Sequence, residues 1–566
     1  MSSGDTAQAA VVPAVAARTA EPSTVSRAGS DSAGRTAPLP AASPTPASEA
    51  GAAAAAAGPA FTRREIGLAY AGLVVAMLLA SLYQTVFGTA LPTIVGDLNG
   101  VDQMLWVSTA YMLATTLMLP VYGKLGDLVG HKSLFIGALG LFLAGSVIGG
   151  LSMNMTMLIA GRAVQGLGGG GLMVLSHAII ADIVPPRQRG KYMGFMVAVF
   201  GLSSLVGPVL GGWFTEDLGW RWVFWLNIPL GLLAIAAAVA FLRKPLQETK
   251  RPRVDIPGIA TMSVAVTAVV LVASWGGTEY GWASPTILGL IALAVVAGTA
   301  FVFIERRAPE PVMPLHLFRD RNFNLATLGG VFTAIALFGV VSYMPTYLQM
   351  ATGFNPTDSG FLMLPGVIGL IIMSSLVGSL ASRTGRYKWM PLASSLMVAL
   401  SLYLLSTMTV DSSIAEIVIF QFVFGAGIGI GMPILVLIVQ NSFPITEVGT
   451  ATASSYFFRE IGASLGAAVV GTLFTSRLLS LLARAAAAAG GGPLASLDGK
   501  SLTPGIINQL PAEAKSVVVH SYNEALTPVY LYLVPLLVAG AVLLLFVREK
   551  PLALTNERAA PLTVAE

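Results

Sequence analysis

Between residues 66 and 547 the chain is a succession of apolar stretches, each about 18 to 27 residues long, the length a helix needs to cross a bilayer. The hydrocarbon core offers no hydrogen-bond partners, so a spanning segment must satisfy its own backbone, and a helix does so. The repetition therefore dictates an all-α polytopic membrane protein. Composition agrees. Hydrophobic residues make up 55% and charged residues 11%, where a soluble domain is about a quarter charged.

About fourteen spans fit, the first over 66–91 and the last over 527–547. Basic residues gather in alternate connections. They are Arg63 and Arg64, Lys124 and Lys132, Arg187, Arg189 and Lys191, and a cluster over 243–253. Arg306, Arg307, Arg319 and Arg321 follow, then Arg383, Arg386 and Lys388, and after the last span Arg548 and Lys550. The other connections carry acids: Asp97, Asp102, Glu216, Asp217, Glu279, Asp358 and Asp411. The positive-inside rule then puts both termini in the cytoplasm, which demands an even number of spans. The loop holding Glu447 lacks Lys and Arg and is the weak point of the count.

Residues 1–60 are rich in Ala, Pro, Ser and Thr and lack aromatics. Such a segment cannot bury enough apolar surface to fold, and it reads as a disordered cytoplasmic tail. At the other end, 476–526 is expected to be a long outer loop, with a hairpin or a helix on the membrane surface as alternatives for part of it.

Several function classes drop out. The net charge is only +4, and its cations sit in short loops rather than on one face, so no nucleic-acid partner is expected. There are no cysteines, and the four histidines (His131, His177, His316, His520) have no metal-ligand spacing. No phosphate-binding G-x-x-x-x-G-K-[ST] loop is present, which argues against ATP as the energy source and leaves the proton gradient. No cofactor and no enzymatic activity are implied.

The chain also repeats itself. Residues 123–132 read G-K-L-G-D-L-V-G-H-K, and 378–388 read G-S-L-A-S-R-T-G-R-Y-K. Each follows an apolar helix and runs from small residues through a polar centre to Gly and cations. Internal repeats of this kind are common in transporters. They suggest two six-helix bundles, over 61–243 and 323–548, with two additional helices in the linker 244–322 and a second cytoplasmic tail over 549–566.

Four motifs in order carry a resemblance: 123–132, L-I-A-G-R-A-V-Q-G over 158–166, 201–212 with its G-P-V-L-G-G ending, and W-R-W-V-F-W-L-N-I-P-L-G over 220–231. From about residue 66 to 548 the chain resembles the major facilitator superfamily, and specifically the fourteen-helix drug:proton antiporters of the EmrB/QacA type. The resemblance implies alternating access, with two bundles rocking about a central site. It implies that Asp127 pairs with cations or with a helix N-terminus, which favours a carboxylate, when the transporter faces outward. His131 stands where the family usually has Arg, so its charge depends on pH.

Arg162 is a charge inside span four, costing about 2.5 kcal/mol or more at a helix centre. It shares a helical face with Gln165, Gly166, Gly169 and Gly170, which suits a water-filled centre. The resemblance implies a part in proton coupling; a buried structural ion pair is the alternative. Gly201, Ser204, Pro208, Gly211 and Gly212 form one face in span five. Gly201, Gly207, Pro208, Gly211 and Gly212 resemble the family's antiporter motif, and the resemblance implies a close-packed interface between bundles. Gly425, Gly427, Gly429 and Gly431 with Pro433, and Gly462 with Gly466, are similar devices.

One departure matters. Relatives often carry an Asp in span one where this chain has Tyr83. Tyrosine, with a pKa of about 10, is a poor proton carrier at neutrality. Glu460, beside Arg459 in span thirteen, is the first candidate to replace it, because ionisable groups in apolar helices are functional by default. Asp182 and His177 follow, with capping of the turn and structural hydrogen bonding as their alternatives. Substrate contacts are expected from Tyr83, Gln84, Tyr111, Gln165, Tyr343, Tyr347, Gln349 and Tyr456, since aromatic and polar walls tolerate varied amphiphiles.

The expectation is a proton-driven, multi-pass exporter of hydrophobic or amphiphilic small molecules in a bacterial plasma membrane. It would act as a monomer, with protons and the lipid bilayer as its other partners. Two other readings remain open. One is dedicated export of a single endogenous metabolite, siderophore or lipid. The other is a membrane sensor that transports nothing.

Overall fold

A computed structural model describes residues 63–242, 254–277, 279–488 and 510–554. The expected tail 1–60, the basic cluster 243–253 and the end of the chain lie outside them. Among the described residues there is no strand, and fourteen helices are long and apolar enough to span a membrane. They are α1 (Arg63–Asp97), α2 (Met104–Val129), α3 (His131–Gly150), α4 (Met155–Ile183), α5 (Pro186–Trp213) and α6 (Trp222–Phe241). Next come α7 (Ile256–Trp275), α8 (Pro285–Glu305), α9 (Arg321–Met350, interrupted at Ser342), α10 (Pro356–Thr384) and α11 (Trp389–Ser406). The last are α12 (Ile414–Gln440), α13 (Val448–Ala488) and α14 (Ala512–Leu545).

Local chemistry explains several starts. Asn154, Ser284, Asp320 and Asn355 each accept a backbone N–H from the first turn of α4, α8, α9 and α10. Ser413 and Glu416 form a reciprocal capping box at α12. Lys132 closes the far end of α6 by donating to the carbonyls of Val239 (2.9 Å) and Leu242, where a cation suits the helix dipole.

The segment expected as an outer loop, 476–526, is helical over its described ends. α13 has 41 residues, which at 1.5 Å each make about 60 Å, twice the bilayer core. Its extension packs on that of α14: the rings of Phe474 and Tyr522 lie 4.8 Å apart, and Leu478, Leu482, Ala514 and Val518 are buried. The apolar stripe continues past the bilayer, so the helices do as well. Residues 489–509 lie outside the described ones.

Helices α1–α6 share one buried core, and α9–α14 share others. Helix α7 packs on α2, α8 and α13, and most of the α8 packing is on α7. Leu288, Leu293, Val295, Val296 and Phe303 point outward from α8, as a lipid-facing helix requires.

Candidate functional site

At one end of the bundle the two halves are fastened. Asp127 closes α2, and its carboxylate accepts from the backbone N–H of Gly449 (3.0 Å) and Thr450 (2.6 Å) and from the Thr450 hydroxyl (2.6 Å). These are the free amides of the first turn of α13, an anion site by geometry and dipole. Gly123 lets α2 come this close, because a side chain there would overlap Ala453 and Gly449. His131 lies between two acids, with Nδ1 2.7 Å from Asp182 and Nε2 3.3 Å from Asp127. Asp182 thus pairs with His131, while the Val184 amide closes its helix on the Ile180 carbonyl.

The second fastening joins α5 to α10. Arg187 donates to the carbonyls of Ser382 (3.3 Å) and Arg383 (3.0 Å), and the Lys191 amide donates to the Ser382 hydroxyl (3.0 Å). Gly190, Gly194 and Gly378 meet backbone to backbone. The Arg187 amide also donates to the Ala553 carbonyl beyond α14 (3.1 Å). Among the described residues, the hydrogen bonds joining α1–α6 to the second half run from this end to the level of His177.

Above the fastened end a cavity of about 120 Å³ lies between the halves. It is roomy enough for several waters but smaller than the ~300 Å³ of a drug-sized site. Met77, Met112, Met173, Met196 and Met432 line it together with Tyr111, Phe200, Phe338 and Tyr456. Sequence reasoning missed the methionines, which come from five helices far apart in the chain. Unbranched thioethers adapt to varied shapes.

His177, Arg459 and Glu460 share that wall. His177 Nδ1 sits 2.8 Å from the Met173 carbonyl and must donate to it; Nε2 then faces the Tyr456 hydroxyl at 2.9 Å. The Arg459 guanidinium lies 3.9 Å over the Tyr456 ring. Among the described residues Arg459 makes no ion pair with Glu460, and the Glu460 carboxylate has no hydrogen-bond partner. Adjacent positions point about 100° apart on a helix, so the two side chains diverge.

Arg162 departs from expectation. It is buried and does not line the cavity. Tyr111 stands between them, its own ring on the cavity wall. Arg162 Nε donates to the Val107 carbonyl (3.2 Å) and Nη1 to Gln165 (3.1 Å), which in turn donates to Ser146 (2.8 Å). The rings of Phe87, Tyr111 and Tyr83 cage the guanidinium at 4.1, 4.2 and 5.1 Å. Each such contact is worth on the order of 1–2 kcal/mol when desolvated. No carboxylate pairs with it among the described residues. Tyr83 thus sets a ring, and not an acid, beside Arg162.

The span-five glycines also divide. A side chain at Gly207 or Gly211 would overlap Thr85 or Thr89 of α1, in the same half, whereas Gly201 faces Leu370 and Ile371 of α10. Gly212 approaches nothing. The expected single face is real on a helical wheel, but α1 and α10 flank it from two sides. Gly425 and Gly429 bring α12 onto α10, and Gly462 and Gly466 bring α13 onto α9.

Other expected contacts lie elsewhere. Tyr343 donates to the Ala467 carbonyl (3.1 Å) and Tyr347 to Asn523 (2.6 Å), both inside the second half and off the cavity. Gln165 serves Arg162, and Gln349 is also off the wall. The side chain of Gln84 lies outside the described residues.

Two helical halves, an equivalent polar turn in each and a cavity between them define a transporter architecture, and comparison settles the family. The model of the Major Facilitator Superfamily matches residues 73–467. The chain belongs to that superfamily. An MFS-type transporter of Mycobacterium tuberculosis is 39% identical over 514 residues, covering 90% of this chain and 74% of the relative. Multidrug transporter protein MdtP of Bacillus subtilis is 37% identical, covering 86% and 94%, and multidrug resistance protein 3 of the same organism is 32% identical, covering 86% and 96%. Among solved structures, the proton:xylose symporter XylE shares the fold with a TM-score of 0.56 at 14% identity, over 87% of this chain and 98% of that one. This major facilitator protein is therefore a multi-pass membrane transporter and not an enzyme.

Proposed function

We propose that the chain exports hydrophobic or amphiphilic small molecules in exchange for protons, as a fourteen-helix drug:proton antiporter of the EmrB/QacA type. One observation carries the reading: Glu460, an acid without an ion-pair partner, shares a methionine-lined cavity with His177 and Tyr456 between the two halves. A carboxyl there can take a proton when the cavity is wet and a cationic or polar solute when it is not, so the two compete for one position. The methionine and aromatic walls suit varied flat substrates, and the multidrug names of the Bacillus relatives fit that breadth. Arg162 acts through Tyr111, holding that ring against the cavity.

The membrane is the bacterial plasma membrane, and the Asp127 end faces the cytoplasm, as the basic connections favour. The closed conformation described above is then the outward-facing side of the cycle.

The test uses purified protein in liposomes under an imposed pH gradient, screened against mixed amphiphiles. Compound extrusion coupled to proton entry is expected. Glu460→Gln should abolish both while leaving membrane insertion normal. Extrusion that survives collapse of the gradient would overturn the proposal. Extrusion of a single compound from the whole library would favour a dedicated metabolite exporter.

A further inference from the structure

The segment 306–320, between α8 and α9, crosses the fastened end. Lys124 of α2 pairs with Glu310 at 2.7 Å, and His316 with Glu447, just before α13, at 2.9 Å. Val312 and Met313 are buried in the core of α1–α6, and Leu317 in a core of the second half. A second cavity of about 250 Å³ separates this strap from the Asp127 contact.

A buried acid shapes the strap. Glu305, the last residue of α8, is only 3% exposed. Its Oε1 accepts from the backbone N–H of Val312 (3.1 Å) and Met313 (3.3 Å). Its Oε2 is buried with no hydrogen-bond partner among the described residues. Asp255 caps α7 by accepting from the Gly258 amide (2.9 Å) through Oδ1, and its Oδ2 is likewise buried and without a partner among the described residues. Among the described residues the charged neighbours acting on Glu305 are Asp255 and Lys124, and Lys124 is already engaged by Glu310. The basic cluster 243–253 lies outside the described residues.

A buried carboxylate with an orphan oxygen bears the desolvation cost of a charge and of an unmade hydrogen bond. A second carboxylate nearby adds repulsion. A proton on Oε2 removes the charge and turns the orphan acceptor into a donor, while Oε1 stays free for the strap amides. We propose that Glu305 is a proton-binding site built into the two additional helices, and that its proton holds the strap across the closed end. Loss of the proton places a second negative charge beside Asp255, drives the Glu305 side chain from its pocket and frees the amides of Val312 and Met313. The site reads the pH on the side of the basic connections, apart from the central cavity, and does not depend on what the cavity carries.

The native chain has no cysteine, so Pro309→Cys and Thr446→Cys, both exposed sites, can carry spin labels on the full-length protein. Pulsed dipolar spectroscopy then reads the strap-to-bundle distance across a pH series without sodium. One narrow distance is expected in acid, broadening as pH rises. Glu305→Gln keeps the acceptor and carries hydrogens permanently, so its distance should stay narrow at every pH. Asp255→Asn keeps the cap and removes the repelling charge, so its transition should move to lower pH. The proposal fails if the parent shows no pH response, if the response survives in Glu305→Gln, if Glu305→Gln is broad throughout as the loss of a hidden cationic partner would make it, or if the distance follows added sodium at fixed pH. Transport is not measured, so failure here leaves proton-coupled export standing and the reverse also holds.

Discussion

At the end of α2, Asp127 sets its carboxylate on the first amides of α13; at the equivalent turn after α10 stands Ser382, and the charge comes instead from Arg187 at the start of α5. The repeat preserves the position of the turn and exchanges the chemistry. An anion meets a helix N-terminus in one case, a cation meets C-terminal carbonyls in the other, and the helix dipole favours both. They differ in strength. Asp127 makes three charge-assisted hydrogen bonds, and its side chain is 6% exposed. The Arg187 contacts reach into solvent, where screening weakens them. Backbone packing takes over there, with Gly378 against Gly190 and Gly194. The closed end is therefore held by electrostatics on one side of the pseudo-symmetry and by close fit on the other.

That asymmetry can be broken in graded steps, read as the closed-to-open ratio from spin labels across the fastened end of the cysteine-free chain. Asp127→Ala strands buried amides and should cost about 3 kcal/mol, lowering the ratio roughly a hundredfold. Next, Gly378→Val overlaps the Gly190 carbonyl, which has no side chain to move aside. About 2 kcal/mol, roughly thirtyfold, is expected. Arg187→Ala should cost least, about 1 kcal/mol or roughly fivefold, since water replaces the guanidinium at the carbonyls. An Arg187→Ala effect as large as that of Asp127→Ala would show the two contacts to be equivalent after all.

The same contrast separates what could be read from residues in order. Arg162 and Gln165 share a helix face and meet at 3.1 Å, because a spacing of three fixes neighbours on one helix. The helix ends were legible only roughly. The stretch 476–526 passes for a loop by hydropathy, yet α13 and α14 continue through its ends because they bury Leu478 and Val518 against each other. Nothing local shows that Arg162 sits behind Tyr111, away from the cavity, or that Gly207 serves α1 while Gly201 serves α10. Those depend on which neighbour stands on each side of a helix.

The amino-acid order alone determined the solvent, the helical class, the membrane-crossing repetition and the two related turns, since hydropathy and charge placement act within single segments. Only tertiary structure joined His177, Tyr456 and Glu460 in one methionine-lined cavity, set Asp127 on α13 and closed the strap over Glu305. Each of these contacts spans helices remote in sequence. Their geometry is decided by packing between halves, and no periodicity along one segment records that.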